Sequence, residues 1–523
     1  MNTKVMVSGA LILFIGNLLS SFLGLVREVL LAAQYGAGMD MDSYIFANTI
    51  PSILLAFVSV VFLSSFIPLY IRERVEISEE KASLMFSNTL NWLILIILIV
   101  TAICYLFSYN LSDIFANDVS SQMKVERLMW ILFPSMLFFS IAYAQSTVLN
   151  SLNHFTMPAL LTVLSNIVII VFMLLYHASL GIYAVAWGFL LGTFLQVLVQ
   201  APVLVKKGVR YRLYLGIKEK YLIKLLVLSI PVVGMVLVDQ CLVFSTRFFS
   251  AHLDAGSASA INYANRIIML PVTLFGTALV SATYPSVVRT LAEKKMNEYN
   301  AIISTSVRSL LLILAPISII SMVFAQDIIK ALLQRGAFDR TDTDMTAIAF
   351  TLLSIGIMII PIREFFTRIF FSKGNIKTPL IASILYLSCF IIGCFIMVPK
   401  LHYIGIAIST AAAMTISFFY SLITYKRLEK EYSLGISVSY FLKVLTSAAL
   451  AAFIAFFFKV QCLKWFEMTE TNVLLTGVCL ALGMFLYLGM IKLLRIQEIN
   501  FVYDKLAAKL HFKKAPEAVT ISD

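Results

Sequence analysis

The chain has 523 residues, of which 60% are hydrophobic and 13% charged, and its mean hydropathy is +0.93. Soluble globules carry nearer 25% charged residues, so this composition excludes an ordinary soluble domain and defines a polytopic membrane protein. Forty basic against 28 acidic residues leave a net charge of +12, which reads as membrane topology and anionic-headgroup contact and argues against nucleic-acid binding.

A spanning helix needs about 20 apolar residues to cross a hydrocarbon core of about 30 Å. Taken in chain order, runs of that length predict an all-α fold of about fourteen transmembrane helices. They start near Val5, Tyr44, Ala82, Val125, Pro158, Leu180, Tyr221, Ser257, Asn300, Thr341, Pro379, Tyr403, Ser437 and Thr471. The first run is too long, and lacks the small-residue cleavage site, for a signal peptide. Basic residues crowd alternate loops: Arg72, Arg74 and Lys81; Lys206 to Lys224; Arg289, Lys294 and Lys295; Lys373 and Lys377; Lys426, Arg427 and Lys430; and the tail from Lys492. The intervening loops are acidic, as at Asp40, Asp42, Asp113, Asp118, Asp254, Asp342 and Asp344. The positive-inside rule then puts both termini in the cytoplasm, as an even helix count requires.

Within the first run, the stretch Gly24 to Pro51 sets Arg27 and Glu28 among apolar residues. An arginine at bilayer depth costs at least about 2.5 kcal/mol, so it faces a protein interior or a water-filled cavity, or else snorkels to a headgroup or pairs locally. The pattern recurs. Arg27, followed by Tyr44, Asn48 and Pro51, matches Arg247, followed by Tyr263, Asn265 and Pro271, at an offset of 220 (247 − 27 and 271 − 51). PLYIRE from Pro68 recurs as PSVVRT from Pro285 (offset 217), NSLNHFTMP ending at Pro158 as FSKGNIKTP ending at Pro379 (offset 221), and Gly181 as Gly405 (offset 224). An even number of crossings per repeat predicts two like-oriented lobes with a substrate site between them, the layout of an alternating-access transporter. The expected organisation is an N-terminal lobe over 1–205, a basic linker over 206–224, a C-terminal lobe over 225–432, two further helices over 433–496 and a cytoplasmic tail over 497–523.

Polar residues inside the spans supply the candidates. Arg27, Arg247 and Arg266 could converge on an anion, and arginine suits phosphate because its planar fork stays charged and binds bidentately; Asp42, at the outer end of the second helix, is grouped with them as a substrate-binding candidate. For Arg266 an interhelix structural pair is the competing reading. Arg363, Glu364 and Arg368 form either a gate or a fold-stabilising ion network, with Glu28 as a further member of the gate or ion-network class. Asp239 is a cation or proton site, or a partner for Arg247. The six cysteines lie in or beside apolar segments without metal-ligand spacing and read as inert thiols. No GxxxxGK[ST] motif and no nucleophile–base motif occurs, so the chain is expected to be a transporter without cofactor or metal, driven by the membrane potential or an ion gradient.

LGLVREVLLAAQYGAGMDMDSY, SASAINYANRIIMLPVTLFGTALVSATYPSVVR, and LLQRGAFDRTDTDMT followed by IREFFTRIFFSKGNIKTP resemble the MurJ (MviN) family of the multidrug, oligosaccharidyl-lipid and polysaccharide exporter superfamily. The resemblance covers roughly residues 5 to 430. It implies fourteen helices in two lobes around a cationic cavity, a groove for a lipid tail formed by the last two helices, and the flipping of lipid II, an undecaprenyl-pyrophosphate-linked cell-wall precursor, from the inner to the outer leaflet of the bacterial cytoplasmic membrane. It assigns Arg27, Asp42 and Arg266 to functional charges, and undecaprenyl-pyrophosphate glycolipid, membrane lipids and cell-wall synthesis proteins as partners. Members usually carry an arginine pair and a glutamate after the proline of helix two; here stand Ser52, Ile53, Leu54, Leu55, Ala56 and Ser59. Another common arginine position is Ser21, and two polar positions of helix eleven are Phe390 and Cys394. Alternative functions are export of another undecaprenyl-linked repeat unit, drug/cation antiport, and a non-transporting scaffold.

Overall fold

The computed structural model describes residues 3–116, 118–428, 438–465 and 473–494. Among them every regular element is helical, and thirteen helical stretches are long and apolar enough to cross a membrane. The expected starts at Ser437 and Thr471, and the tail from 497, lie outside the described residues. Many large apolar side chains face outward, Leu175, Phe395 and Phe485 each being about 70% exposed (71%, 67% and 73%). That is the surface lipid solvates. In lipid no hydrophobic force drives helices together, so close contacts fall to small residues and interhelical hydrogen bonds.

The chain divides into two compact units. The first comprises residues 1–270, 332–353 and 380–417. It contains α1 (Thr3–Tyr35), α2 (Met39–Ala47), α3 (Thr49–Val61), a π-helical turn at Phe62–Phe66, α4 (Ile67–Glu76), α5 (Glu79–Leu106), α6 (Ser108–Asp113), α7 (Val119–Ser151), α8 (Thr156–Leu180), α9 (Tyr183–Lys206), α10 (Lys220–Ala251) and most of α11 (Ser257–Pro271). Here α7, α8 and α9 pack together, α1 lies on α8, and α10 lies on α3. Gly188 and Gly192 let α9 approach the α8 backbone, where an added Cβ would stand 3.1 Å from Ile169 Cα and 3.2 Å from Ser165 Oγ. Gln196 and Gln200 donate to the carbonyls of Leu161 and Ala142 at 3.2 and 3.0 Å, stitching three helices through groups that lipid would leave unsatisfied.

The second helix starts at Met39, earlier than the predicted Tyr44, because Asp40 and Asp42 in its first turn favour a helix N-terminus. It breaks at Asn48, which caps α2 and opens α3. The linker after α9 has no regular structure before α10 and is clipped to α5. Asn88 exchanges two bonds with the Gly216 backbone (3.0 and 2.8 Å), Asn91 donates to the carbonyls of Arg212 and Tyr214, and Ser87 Oγ accepts from Arg212 N.

The second unit comprises the described residues within 271–331, 354–379 and 418–494. It holds a π-helical turn at Val272–Thr277, α12 (Ala278–Ala292), α13 (Met296–Val323), most of α14 (Ala325–Leu333), α16 (Gly356–Ser372), α18 (Val438–Trp465) and α19 (Val473–Leu493); α15 (Arg340–Leu353) and the middle of α17 (Lys377–Leu428) belong to the first. α13 packs on α12, α16 and α18, with Ile320, Phe324, Ala452, Ala455 and Cys479 as a buried cluster. Beside it Lys459 reaches Asp327 at 2.6 Å, with side-chain exposures of 15% and 7%. Such a pair is tolerated because each partner supplies the charge the other needs.

α17 is 52 residues long and consists of two helices joined at His402 (φ 50°, ψ −133°). Gly181, between α8 and α9, has almost the same backbone (φ 55°, ψ −139°). Positive φ recurs at three pairs of positions: Gly36 and Gly256, Asn153 and Gly374, Gly181 and His402. Their offsets are 220, 221 and 221 (256 − 36, 374 − 153, 402 − 181), the spacing of the repeated sequence landmarks. A β-carbon in this region costs about 1–3 kcal/mol, so His402→Gly is expected to stabilise the protein by about 1 kcal/mol, read as a higher Tm of the purified protein in detergent. An unchanged or lower Tm would contradict that strain.

Past α12, Glu293 accepts from Arg289 at 2.8 Å and pairs with Lys295 at 2.9 Å, and these bonds hold its carboxyl down at about 2. A depressed carboxyl stabilises the fold above its ordinary pKa and loses that contribution as pH falls through the folded value. Glu293 should therefore remain ionised at pH 3, where an ordinary glutamate is protonated; carboxyl-carbon NMR in detergent micelles measures this.

Candidate functional site

Three arginines and one carboxylate from three helices line a single cavity of about 250 Å³ in the first unit: Arg27 and Glu28 on α1, Arg247 on α10, and Arg266 on α11. Tyr44, Asn48, Thr49 and Ser52 of α2 and α3, Phe189 of α9 and Asn262 of α11 complete most of the wall. Arg27 donates one Nη to Asn166 Oδ1 of α8 (3.0 Å) and the other to Glu28 Oε1 (2.8 Å). The same Oε1 lies 3.7 Å from Arg266 Nε. Asn166 in turn donates to the Ser20 carbonyl at 3.3 Å, and Arg247 donates to Asn262 Oδ1 at 3.2 Å. With three guanidinium groups against one carboxylate the cavity is cationic. Glu28 is buried, Arg27 is largely covered, and Arg266 keeps 58% of its side chain exposed.

These contacts explain how α1 carries a charge inside an apolar run. Asn166 and Glu28 occupy both ends of the Arg27 fork and fix its orientation. A carboxylate and arginines in the low-dielectric interior interact far more strongly than in water, and an anion entering the cavity meets donors that are already placed. Some polar atoms have no partner among the described residues. Arg27 Nε, Glu28 Oε2 and Asn48 Oδ1 are buried and unbonded.

Asp42 does not line this cavity. Its carboxylate accepts from Gly256 N (2.7 Å), Ser259 N (2.7 Å) and Ser259 Oγ (2.6 Å), so it caps the N-terminus of α11 from α2. Around it three turns meet. Ala337 N donates to Ala33 O (2.8 Å), Ala37 N to Asp342 Oδ2 (2.8 Å), and Tyr263 OH to Gly36 O (3.1 Å). Gly256 and Gly336 permit the approach, for a Cβ there would stand 2.4 Å from Ala37 O and 2.2 Å from Ala33 O. The result is a latch joining the α1–α2, α10–α11 and α14–α15 turns.

The remaining candidates sit elsewhere. Asp239 is exposed on α10, eight residues before Arg247, and is not among the cavity residues. Arg363, Glu364 and Arg368 lie on α16 in the second unit, where Arg368 donates to Glu364 at 2.6 Å and stands 5.8 Å from the Tyr284 ring centroid. Sequence reasoning passed over Asn166, Asn262 and the unpartnered acceptor of Asn48. An asparagine inside an apolar run is a visible signal, but its partner is not.

The sequence profile of the family described as lipid II flippase MurJ matches residues 31–476. The chain belongs to the MurJ family. A probable lipid II flippase MurJ of Buchnera aphidicola subsp. Schizaphis graminum is 30% identical over 77% of this chain and 80% of its own. The lipid II flippase MurJ of Burkholderia cenocepacia is 25% identical over 94% and 98%. A solved lipid II flippase MurJ in an inward closed conformation superposes with a TM-score of 0.79 at 25% identity, covering 92% of this chain and 98% of the other. An inward-facing multidrug resistance MATE family transporter of the MOP superfamily shares the fold, with a TM-score of 0.66 at 14% identity over 79% and 96%.

As a MurJ-family protein the chain is a multi-pass membrane transporter and not an enzyme. In this MurJ-family chain Thr49 and Ser52 are the α3 residues that line the cavity, so α3 adds no positive charge there. Phe390 and Cys394 are fully buried, with Phe390 edge-on to Phe249 at 6.5 Å, so these two positions of α17 serve packing.

Proposed function

We propose that this chain carries lipid II, an undecaprenyl-pyrophosphate-linked cell-wall precursor, from the inner to the outer leaflet of the cytoplasmic membrane for peptidoglycan synthesis. The observation that supports this reading is the convergence of Arg27, Arg247 and Arg266 with Glu28 on one cavity inside a membrane-spanning bundle. A diphosphate offers several anionic oxygens, and arginine forks neutralise them without a change in protonation. The undecaprenyl tail would stay in lipid beside α18 and α19.

The cycle we infer is alternating access between two like-oriented lobes, with both termini in the cytoplasm by the distribution of basic loops. On that topology the latch of Asp42, Asp342 and the glycine turns closes the outer side, and the headgroup enters from the inside. Opening the latch would release it outward. Recurrence of the left-handed turns at 220–221 residues supports the duplication. The inside-negative potential drives an anionic headgroup outward at about 2.3 kcal/mol per charge per 100 mV. Asp239 is our candidate for a coupling cation, the α16 arginines and Glu364 for an inner gate, and cell-wall synthesis proteins for partners.

Depletion of a bacterium's own lipid II flippase tests the reading. The wild-type chain should restore growth and lipid II exposure at the outer surface, and Arg27→Ala, at equal membrane abundance, should restore neither. Rescue by both, or by neither, would reject it.

A further inference from the structure

Beyond the charges that would hold the diphosphate, two residues that line the same cavity carry unused acceptors, which a side-chain rotation would bring to its surface. Glu28 is 5% exposed, and while its Oε1 serves Arg27 and Arg266, its Oε2 has no partner. Asn48 lines the wall at the break between α2 and α3, and its Oδ1 is likewise buried and unbonded. An unsatisfied buried polar atom costs about 1–3 kcal/mol. Two such acceptors beside three arginines describe a ligand with two chemistries: anionic oxygens for the guanidinium groups and O–H or N–H donors for Glu28 and Asn48.

A bare diphosphate supplies the first and not the second. A cavity of 250 Å³ is larger than the engineered hollow of about 150 Å³ that admits one benzene, and so has room for a diphosphate and one edge of the group joined to it. In a glycan-linked diphosphate that neighbour is a sugar, rich in hydroxyl and amide donors. We propose that Asn48 Oδ1, with Glu28 Oε2, reads a hydroxyl or amide N–H of the first sugar next to the diphosphate, and so selects glycosylated carrier lipid over the sugar-free form. This rests on the proposed lipid II reading, whose failure the experiment separates from its own.

Asn48 is the position to test, since Glu28 also holds two arginines. The purified full-length chain in nanodiscs is titrated with undecaprenyl pyrophosphate and with the same lipid bearing one amide-containing sugar. Asn48→Leu should lower affinity for the sugar-bearing lipid about tenfold more than affinity for undecaprenyl pyrophosphate, a loss of preference of about 1.4 kcal/mol. Asn48→Asp, which keeps the acceptor, should restore the preference to within threefold of wild type. Thermal unfolding checks the fold of each variant, and Asn48→Ala carries the same expectation should the leucine variant not fold.

An equal loss of affinity for both lipids would make Asn48 a structural residue and overturn the proposal. So would an unchanged preference, which would mean that Asn48 merely holds a water in the adjoining hollow of about 20 Å³ that it also lines. If Arg27→Ala leaves both affinities unchanged, the diphosphate reading itself fails, whatever Asn48 does.

Discussion

Replacing Arg27 with alanine is expected to slow lipid II translocation by roughly 30- to 4,000-fold. Removing one partner of a buried, hydrogen-bonded charge pair costs about 2–5 kcal/mol, much of it the penalty of stranding the other group, and each 1.4 kcal/mol is tenfold. Here the stranded group is Glu28, left with an arginine contact at 3.7 Å and no 2.8 Å bond, while Asn166 Oδ1 loses its donor. On the proposed reading the diphosphate loses a fork as well. Arg27→Lys should fall between wild type and alanine, because a lysine keeps the charge but cannot bridge Asn166 and Glu28 at once. The check is headgroup exposure in vesicles with an imposed potential, normalised to protein content. Equal rates for wild type and alanine would show that the arginine does not engage substrate.

The second large effect is expected at Asp42. Its carboxylate takes three short bonds, two of them from backbone N–H groups at the start of α11. Bonds to a charged acceptor contribute about 1.5–3 kcal/mol each, so losing the net worth of even two of the three in Asp42→Ala should weaken the latched arrangement by about 3–6 kcal/mol. That moves the closed-to-open ratio by roughly two to four orders of magnitude. Ser257 supplies a reporter: it is fully buried at the start of α11 and its hydroxyl makes no bond, so Ser257→Cys is a near-isosteric probe. A membrane-impermeant thiol reagent added from outside should label it slowly beside Asp42 and at least tenfold faster beside Asp42→Ala. Asn at position 42 keeps the shape but turns one acceptor into a donor, and should lie between the two. Identical labelling would mean that the carboxylate does not hold this side closed.

The two effects differ in how far they could be foreseen. Arg27 was legible because a charge within an apolar run is costly wherever the helix lies, and one sequence window carries that cost. Asp42 was legible as a charge at a helix end, but not as a clasp, since its partners are backbone amides 214 and 217 residues away and any residue has an amide. The latch glycines show the same limit. Their turns can be read from GAG and RGA, while the 2.2 Å distance that bars a side chain at Gly336 depends on Ala33 lying opposite.

By itself the sequence determined that this chain lives in a bilayer and that its landmarks repeat every 220 or so residues, because hydropathy, loop charge and turn chemistry are properties of short segments. Only the tertiary structure decided that Arg27 meets Asn166 across 139 residues, that Arg247 and Arg266 share its cavity, and that Asp42 turns away from it to cap α11. In lipid, apolar helix faces are nearly indifferent to one another, so neighbours are chosen by small residues and by scattered polar groups that must find partners. Those matches exist only once the helices are in place.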